Sequence, residues 1–248
     1  MTHGCIDGYS RVVTFLQTST NNKAKSVLNL FVQACTQLGL PTRVRCDHGS
    51  ENIDVAIFLS LVRRPDQASV ITGRSVHNQR IERLWRDVAT YVTEYFYTLF
   101  YELEDNGSLD VADDVHLCAL HVVFLPIIND RMNNFRKAWN RHRLRTEGNR
   151  SPQQLWIDGM LRNMNSTHAA TAELFTHHPS LAVRIEDSLQ QFNVDLQSFD
   201  ASSSSIEPQP LRYILDPAVV AHAQAAIATV TNHKVMYNTV VQIMKSAD

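Results

Sequence analysis

The feature that most constrains this chain is how short apolar runs alternate with amphipathic stretches over its first ninety or so residues. Cys5-Ile6 reads as the tail of a strand, and Asp7-Gly8-Tyr9-Ser10 as a turn. Arg11–Gln17, rich in Val, Phe and Thr, reads as a second strand, so the pair predicts a hairpin. A helix runs from Asn21 or Asn22 to about Leu38, with Val27, Phe31, Ala34 and Leu38 on one face. Gly39 ends it, and Pro41 follows. Thr42–Cys46 is a short strand, Asp47–Ser50 a polar turn and Glu51–Val62 a second helix. A loop through Arg63, Arg64, Pro65 and Asp66 leads to a buried strand at Ser69–Thr72. After a loop over Gly73–His77, a long helix starts near Asn78 with Ile81, Leu84, Trp85, Val88 and Val92 as its stripe. The order β-β-α-β-α-β-α predicts an α/β fold with a mixed sheet flanked by helices.

Beyond about Tyr91 the pattern turns helical. Tyr95, Phe96, Tyr97, Phe100 and Tyr101 fall at helical spacing and read as core rather than as a stacking platform. Val115–Ile128 is apolar but interrupted by Pro126, and Met132–His142 is a further helical stretch. Ser151-Pro152 puts Pro in the first turn of another helix, which carries Leu155, Trp156 and Leu161. Residues 165–216 are acidic, Ser202–Ser205 with Pro208 and Pro210 form a linker, and Ala218–Ala228 is a helix former. The expected organisation is a core over residues 1–105, a helical extension over 106–165, and an acidic segment, Ser/Pro linker and C-terminal helix over 166–248.

The net charge of −2 demands no nucleic-acid partner, so any basic surface is local. One stretch qualifies. Residues 131–150 hold seven bases against the single acid Glu147, and they surround Trp139. Such a segment is either a solvated helix face with Trp139 in the core or a phosphate-backbone contact. Cys5, Cys35, Cys46 and Cys118 form no C-x-x-C pair and no zinc spacing, so they read as small buried apolar residues and no zinc is expected. No apolar run reaches the roughly 20 residues that span a bilayer. Met1-Thr2-His3-Gly4 resembles neither a signal nor a transit peptide. The expected setting is intracellular, nuclear or cytoplasmic, with no membrane.

Two carboxylates stand out. Asp47 directly follows a strand, in CDHGSEN, and Glu82 lies in the first turns of a helix, in HNQRIERLWRDV, 35 positions later. Taken alone, Asp47 is an ordinary turn residue and Glu82 an ordinary partner for Arg83 or Arg86. Taken together, carboxylates at a strand end and a helix start suit hard divalent cations such as Mg²⁺. Two-metal phosphoryl transfer normally needs a third.

These two motifs resemble the second Asp and the final Glu of integrase-type polynucleotidyl transferases, the retroviral-integrase and DDE-transposase group. CIDGYSRVVTFL resembles the second strand, turn and third strand of that core, and AWNRHRLRTEGNRSPQQLW the Trp-Asn…Ser-Pro segment that follows it in transposon-derived relatives. The likeness, to the branch found in animal and fungal genomes, covers His3 to about Leu161. It implies a ribonuclease H-like fold, Mg²⁺- or Mn²⁺-dependent DNA cleavage and strand transfer, a DNA partner and a possible homo-oligomer. Asp47 and Glu82 are then the catalytic metal ligands. His48, Asn78 and Gln79 become candidates for DNA contact, beside Arg141, Arg143 and Arg145 of the basic stretch. The plainer readings are a polar loop residue for His48, a helix cap for Asn78, and no special role for His77.

The resemblance puts the first catalytic Asp on a strand one hairpin ahead of the Asp7 turn. Only six residues precede Asp7. The expectation is therefore a truncated core that lacks its first strand and first Asp, and is inactive as written. The order Asp7, Asp47, Glu82 mimics the triad and is the alternative assignment. The competing function is a non-catalytic, domesticated transposon relic that serves as a DNA- or protein-binding module.

Overall fold

A computed structural model describes residues 1–63, 69–73, 78–163, 183 and 216–247. The acidic segment before Asp216, the Ser/Pro linker and His77 lie outside the described residues. The chain divides into two compact units, each built from two stretches of sequence: Met1–Trp85 with Arg136–Glu207, and Arg86–Phe135 with Pro208–Asp248.

The first unit opens with β1 (Thr2–Ile6) paired antiparallel to β2 (Val13–Thr18), with a bulge between Cys5 and Ile6. The turn between them is built by Asp7, whose Oδ2 accepts from the Tyr9 and Ser10 amides and from the Ser10 hydroxyl. Its carboxylate holds the loop closed, as Asp does in turns. α1 (Ala24–Leu38) buries Val27, Leu28, Phe31, Ala34 and Cys35. The helix stops where Gly39 takes φ 89° and its amide reaches back to the Cys35 carbonyl at 2.8 Å. β3 (Val44–Cys46) runs parallel to β4 (Val70–Thr72), with α2 (Ile53–Val62) between them in sequence. The core of this unit joins Val27, Leu28, Phe31 and Leu40 to Val55, Phe58 and Leu59, with Phe31 and Phe58 edge to face.

The two strand pairs are separate two-stranded sheets among the described residues, not one continuous sheet. The fold is thus mixed α/β with small sheets and many helices.

α3 (Gln79–Val88) begins at the Asn78 carbonyl, which accepts the Ile81 and Glu82 amides. A π-helical turn over Ala89–Thr93 joins it to α4 (Glu94–Asp105). α5 (Asp114–Arg141) is one 28-residue helix that runs through Pro126. The break expected there does not occur. Pro126 lies on the exposed side, where the helix can bend and water can take the freed carbonyl, while Val122, Val123 and Phe124 stay buried before it. By length and composition this helix could cross a membrane, yet its buried His116, Cys118, Ala119 and Met132 make a core face.

The second unit also contains α7 (Pro217–Ile227) and a helix the sequence pattern had not separated, α8 (His233–Ala247); α6 (Pro152–Arg162) belongs to the first unit. Tyr237, Val240 and Met244 of α8 are fully buried, and the Tyr237 ring stacks on Phe124 at 6.3 Å. The aromatic run of α4 is only half core. Phe96 and Leu99 are buried, but Tyr95, Tyr97 and Tyr101 are exposed, the last two with ring centroids 4.6 Å apart. The hydroxyl explains it: a phenol keeps its polar end in water while its ring leans on a neighbour.

The Trp-Asn…Ser-Pro segment fastens the C-terminal part of the first unit to the hairpin. The Trp139 indole N–H donates to the Arg11 carbonyl at 3.0 Å. The Asn140 amide accepts from the Val13 N–H at 2.8 Å and donates to the Val13 carbonyl at 3.0 Å. Arg136 Nη1 donates to the Thr14 carbonyl, and Arg11 pairs with Glu147 at 2.6 Å. Ser151 then opens α6 with a full capping box to Gln154.

Candidate catalytic cleft and nucleic-acid surface

Backbone register decides where the hairpin is open. Met1 and Ser19 exchange both N–H···O bonds, so by antiparallel alternation Thr2 and Gly4 turn their backbone groups away from β2. In the parallel pair, Val44 donates to Ser69 and Cys46 accepts from Gly73, which leaves the Arg45 groups turned away from β4. Thr2, Gly4 and Arg45 all line one cleft of about 300 Å³. Val27, Phe31 and Val55 contribute apolar wall to it, and Ile81, Glu82 and Trp85 come from α3. Gly4 is required here, because a Cβ would meet the Trp85 ring at 2.9 Å.

Asp47 and Glu82 both line this cleft, and so does Asn78. Asp47 sits where β3 ends, half-buried, its Oδ1 accepting from the Gly49 amide and from Asn52 Nδ2 at 3.0 Å. Glu82 is exposed, and its carboxylate makes no hydrogen bond or ion pair among the described residues, so it does not pair with Arg83 or Arg86. His48 and Gln79 are exposed and stand outside the cleft lining. Asp7 is likewise absent from that lining, its carboxylate engaged in the turn.

Two residues escaped the sequence reading. Glu51 also lines the cleft, and Asn52 Nδ2 donates both to Glu51 Oε1 at 3.3 Å and to Asp47 Oδ1. Gly49 explains how: a Cβ there would fall inside the Glu51 carboxylate, so only glycine lets that side chain fold back. The available signal was the Gly two positions before an acid in a turn. It looked like ordinary turn chemistry because Gly49 itself has φ −63°, a value open to any residue.

The surrounding electrostatics are those of a crowded anionic pocket. Burial pushes the Cys46 thiol up, and the Asp47 and Glu51 charges push it further. Burial lowers His3, against the opposing pull of its bond to the Asn21 carbonyl and the Glu51 charge. Cys5 and Cys46 are only half-buried, unlike Cys35 and Cys118; all four are free thiols.

The basic stretch divides by partner. Arg150 pairs with Asp158 at 2.9 Å, and Arg136 serves the β2 edge. Arg141, Arg143 and Arg145 are exposed and make no ion pair among the described residues. Trp139 is neither stacked in the deep core nor free, since its indole is tied to Arg11.

The family model described as integrase core domain matches residues 1–170. The chain belongs to the integrase core domain family. No curated protein and no solved structure matches it. An integrase core of this kind relates the protein to DNA integration and transposition, and such domains generally use divalent metal and bind DNA. The cleft offers the right donors for a hard cation, carboxylate oxygens from Asp47 and Glu82. Among the described residues, however, no three His, Cys, Asp or Glu side chains converge as a metal would require. Among the described residues the donor set thus has the right chemistry but gathers no three such side chains.

Proposed function

We propose that this protein is a DNA-acting domain of the polynucleotidyl transferase type, of the transposon-derived branch, whose acidic pair is Asp47 and Glu82. The observation that carries this reading is that both side chains, 35 positions apart, line one cleft. Here Asp47 and Glu82 would hold a Mg²⁺ or Mn²⁺ ion, which when bound would activate an oxygen nucleophile toward phosphorus. The residues' own part is simpler. Asn52 fixes the rotamer of Asp47, and Asn78 borders the same cleft from the start of α3.

We read the fold as ribonuclease H-like, with β1–β2 and β3–β4 as outer portions of one five-stranded plan. The open edges at Thr2, Gly4 and Arg45 stand where the resemblance reserves a strand that bears the third carboxylate. The described residues line the cleft with Asp47, Glu82 and the turn-bound Glu51 but do not gather three as a metal cluster, so DNA binding without strand transfer is expected from them alone. That is also the point of contact with the alternative, a domesticated binding module.

The experiment incubates the full chain with labelled duplex DNA and Mn²⁺, following retention and cleavage separately. Salt-sensitive retention without cleavage is expected, weakened when Arg141, Arg143 and Arg145 are reversed to Glu. Cleavage abolished by Asp47→Asn would keep the acidic pair and overturn the incompleteness. No retention at any salt would overturn the DNA-acting reading.

A further inference from the structure

A second cavity lies on the far edge of the hairpin, within the first unit. Of about 250 Å³, it is bounded by β2, the end of α1, the last turns of α5 and the start of α6. Its charged lining residues are Arg136, Lys137 and Arg141, with no acid among them. Arg136 is anchored to the Thr14 carbonyl, whereas Lys137 and Arg141 are exposed and without an ion pair among the described residues. The half-buried Trp156 also lines the cavity, as do Gln37 and Gln153, which bring side-chain amides.

Unpaired cations call for an anion, and the amides could serve a phosphate too, but a bare phosphate has no use for an indole face. An aromatic face offers a base a stacking surface, the amides offer donors and acceptors to its edge, and the cations suit the adjoining phosphate. A stacked duplex keeps its bases inside and cannot put one into a concavity, whereas a single strand can. We propose that this cavity binds one nucleotide of single-stranded DNA, the base against Trp156 and the phosphate on Lys137 and Arg141. This rests on the DNA-acting reading and adds to it a binding site, on the edge away from the acidic cleft, that prefers unpaired strand.

The test titrates the full chain with fluorescein-labelled oligo-dT and with a duplex of equal length. Trp156→Ala is expected to weaken oligo-dT binding about tenfold and leave duplex retention unchanged, and Trp156→Phe to restore it. Reversing Lys137 and Arg141 to Glu should weaken oligo-dT binding and flatten its salt dependence. Because Trp156 also packs, Gln153→Ala is the milder variant, expected to lower oligo-dT affinity severalfold with an unchanged melting temperature. Oligo-dT affinity indifferent to Trp156 and Gln153 overturns the proposal while the DNA-acting reading stands. So does an oligo-glutamate that competes as well as oligo-dT, since the cavity is then a general anion site. Absence of binding to either DNA overturns both.

Discussion

The two edges of the β1–β2 hairpin are opposite in character. Along β2, side chains of α5 occupy the backbone: Trp139 takes the Arg11 carbonyl, Asn140 both groups of Val13, and Arg136 the Thr14 carbonyl. Along β1, the outward groups of Thr2 and Gly4 face a cleft and no strand pairs with them among the described residues. An exposed edge is a liability that proteins normally cover. Here one edge is covered by side chains that mimic a strand, and the other borders the carboxylates. Closure on one side fixes the frame; openness on the other leaves room for chemistry.

This contrast yields graded expectations. The largest effect belongs to the covered edge. Asn140→Ala strands two backbone groups of Val13 and should cost about 2–3 kcal/mol in urea unfolding. A loss below about 0.5 kcal/mol would mean the edge does not depend on that amide. Next comes the element that carries the covering segment onward: Ser151→Ala removes half of the α6 capping box and should cost about 1 kcal/mol by the same assay.

On the open side the effects are smaller and depend on conditions. His3 is buried and its pKa is lowered, mainly by desolvation. The unfolded chain, with an ordinary His pKa of about 6.5, therefore binds the proton more readily than the fold. The stability from a neutral His3 is fully present above about pH 6.5 and is lost as pH falls below it toward the depressed folded value. Unfolding free energies at pH 7.5 and 5.5 should differ less in His3→Gln than in the parent; an equal difference would remove His3 from the account. His121 and His233 are lowered for the same reason, so the slope should shrink without vanishing. The smallest change in stability is expected for Asp47→Asn, within about 0.5 kcal/mol, because the amide oxygen can still accept from Asn52. Calorimetry should nonetheless show weaker Mn²⁺ binding. If stability fell sharply while Mn²⁺ binding held, Asp47 would be a structural turn residue.

Local pattern was a good guide wherever the determinants are local. The hairpin turn at Asp7, the stop at Gly39 and the Pro at the start of α6 were all legible, since each rests on contacts within a few residues. Pro126 misled, because a proline's effect depends on whether its helix face meets solvent or core. Tyr97 and Tyr101 misled for a similar reason: helical spacing says which residues share a face, not whether that face is covered. α8 was not separated from the C-terminal pattern, as the burial of Tyr237 and Met244 comes from partners distant in sequence.

For the site, the sequence alone offered the pair, Asp47 at a strand end and Glu82 at a helix start, and its resemblance to integrase-type enzymes named the family. That much rests on the likeness of several motifs in order, which needs no coordinates. Only the tertiary structure decided that both side chains line one cleft, that Glu51 folds back over Gly49 toward them, and that Asp7 is spent on its own turn. It also decided that Trp139 and Asn140 close a strand edge while Arg141 beside them has no ion pair among the described residues. Such assignments depend on which backbone groups and side chains meet across long sequence separations, and a linear pattern of residue types carries no record of those meetings.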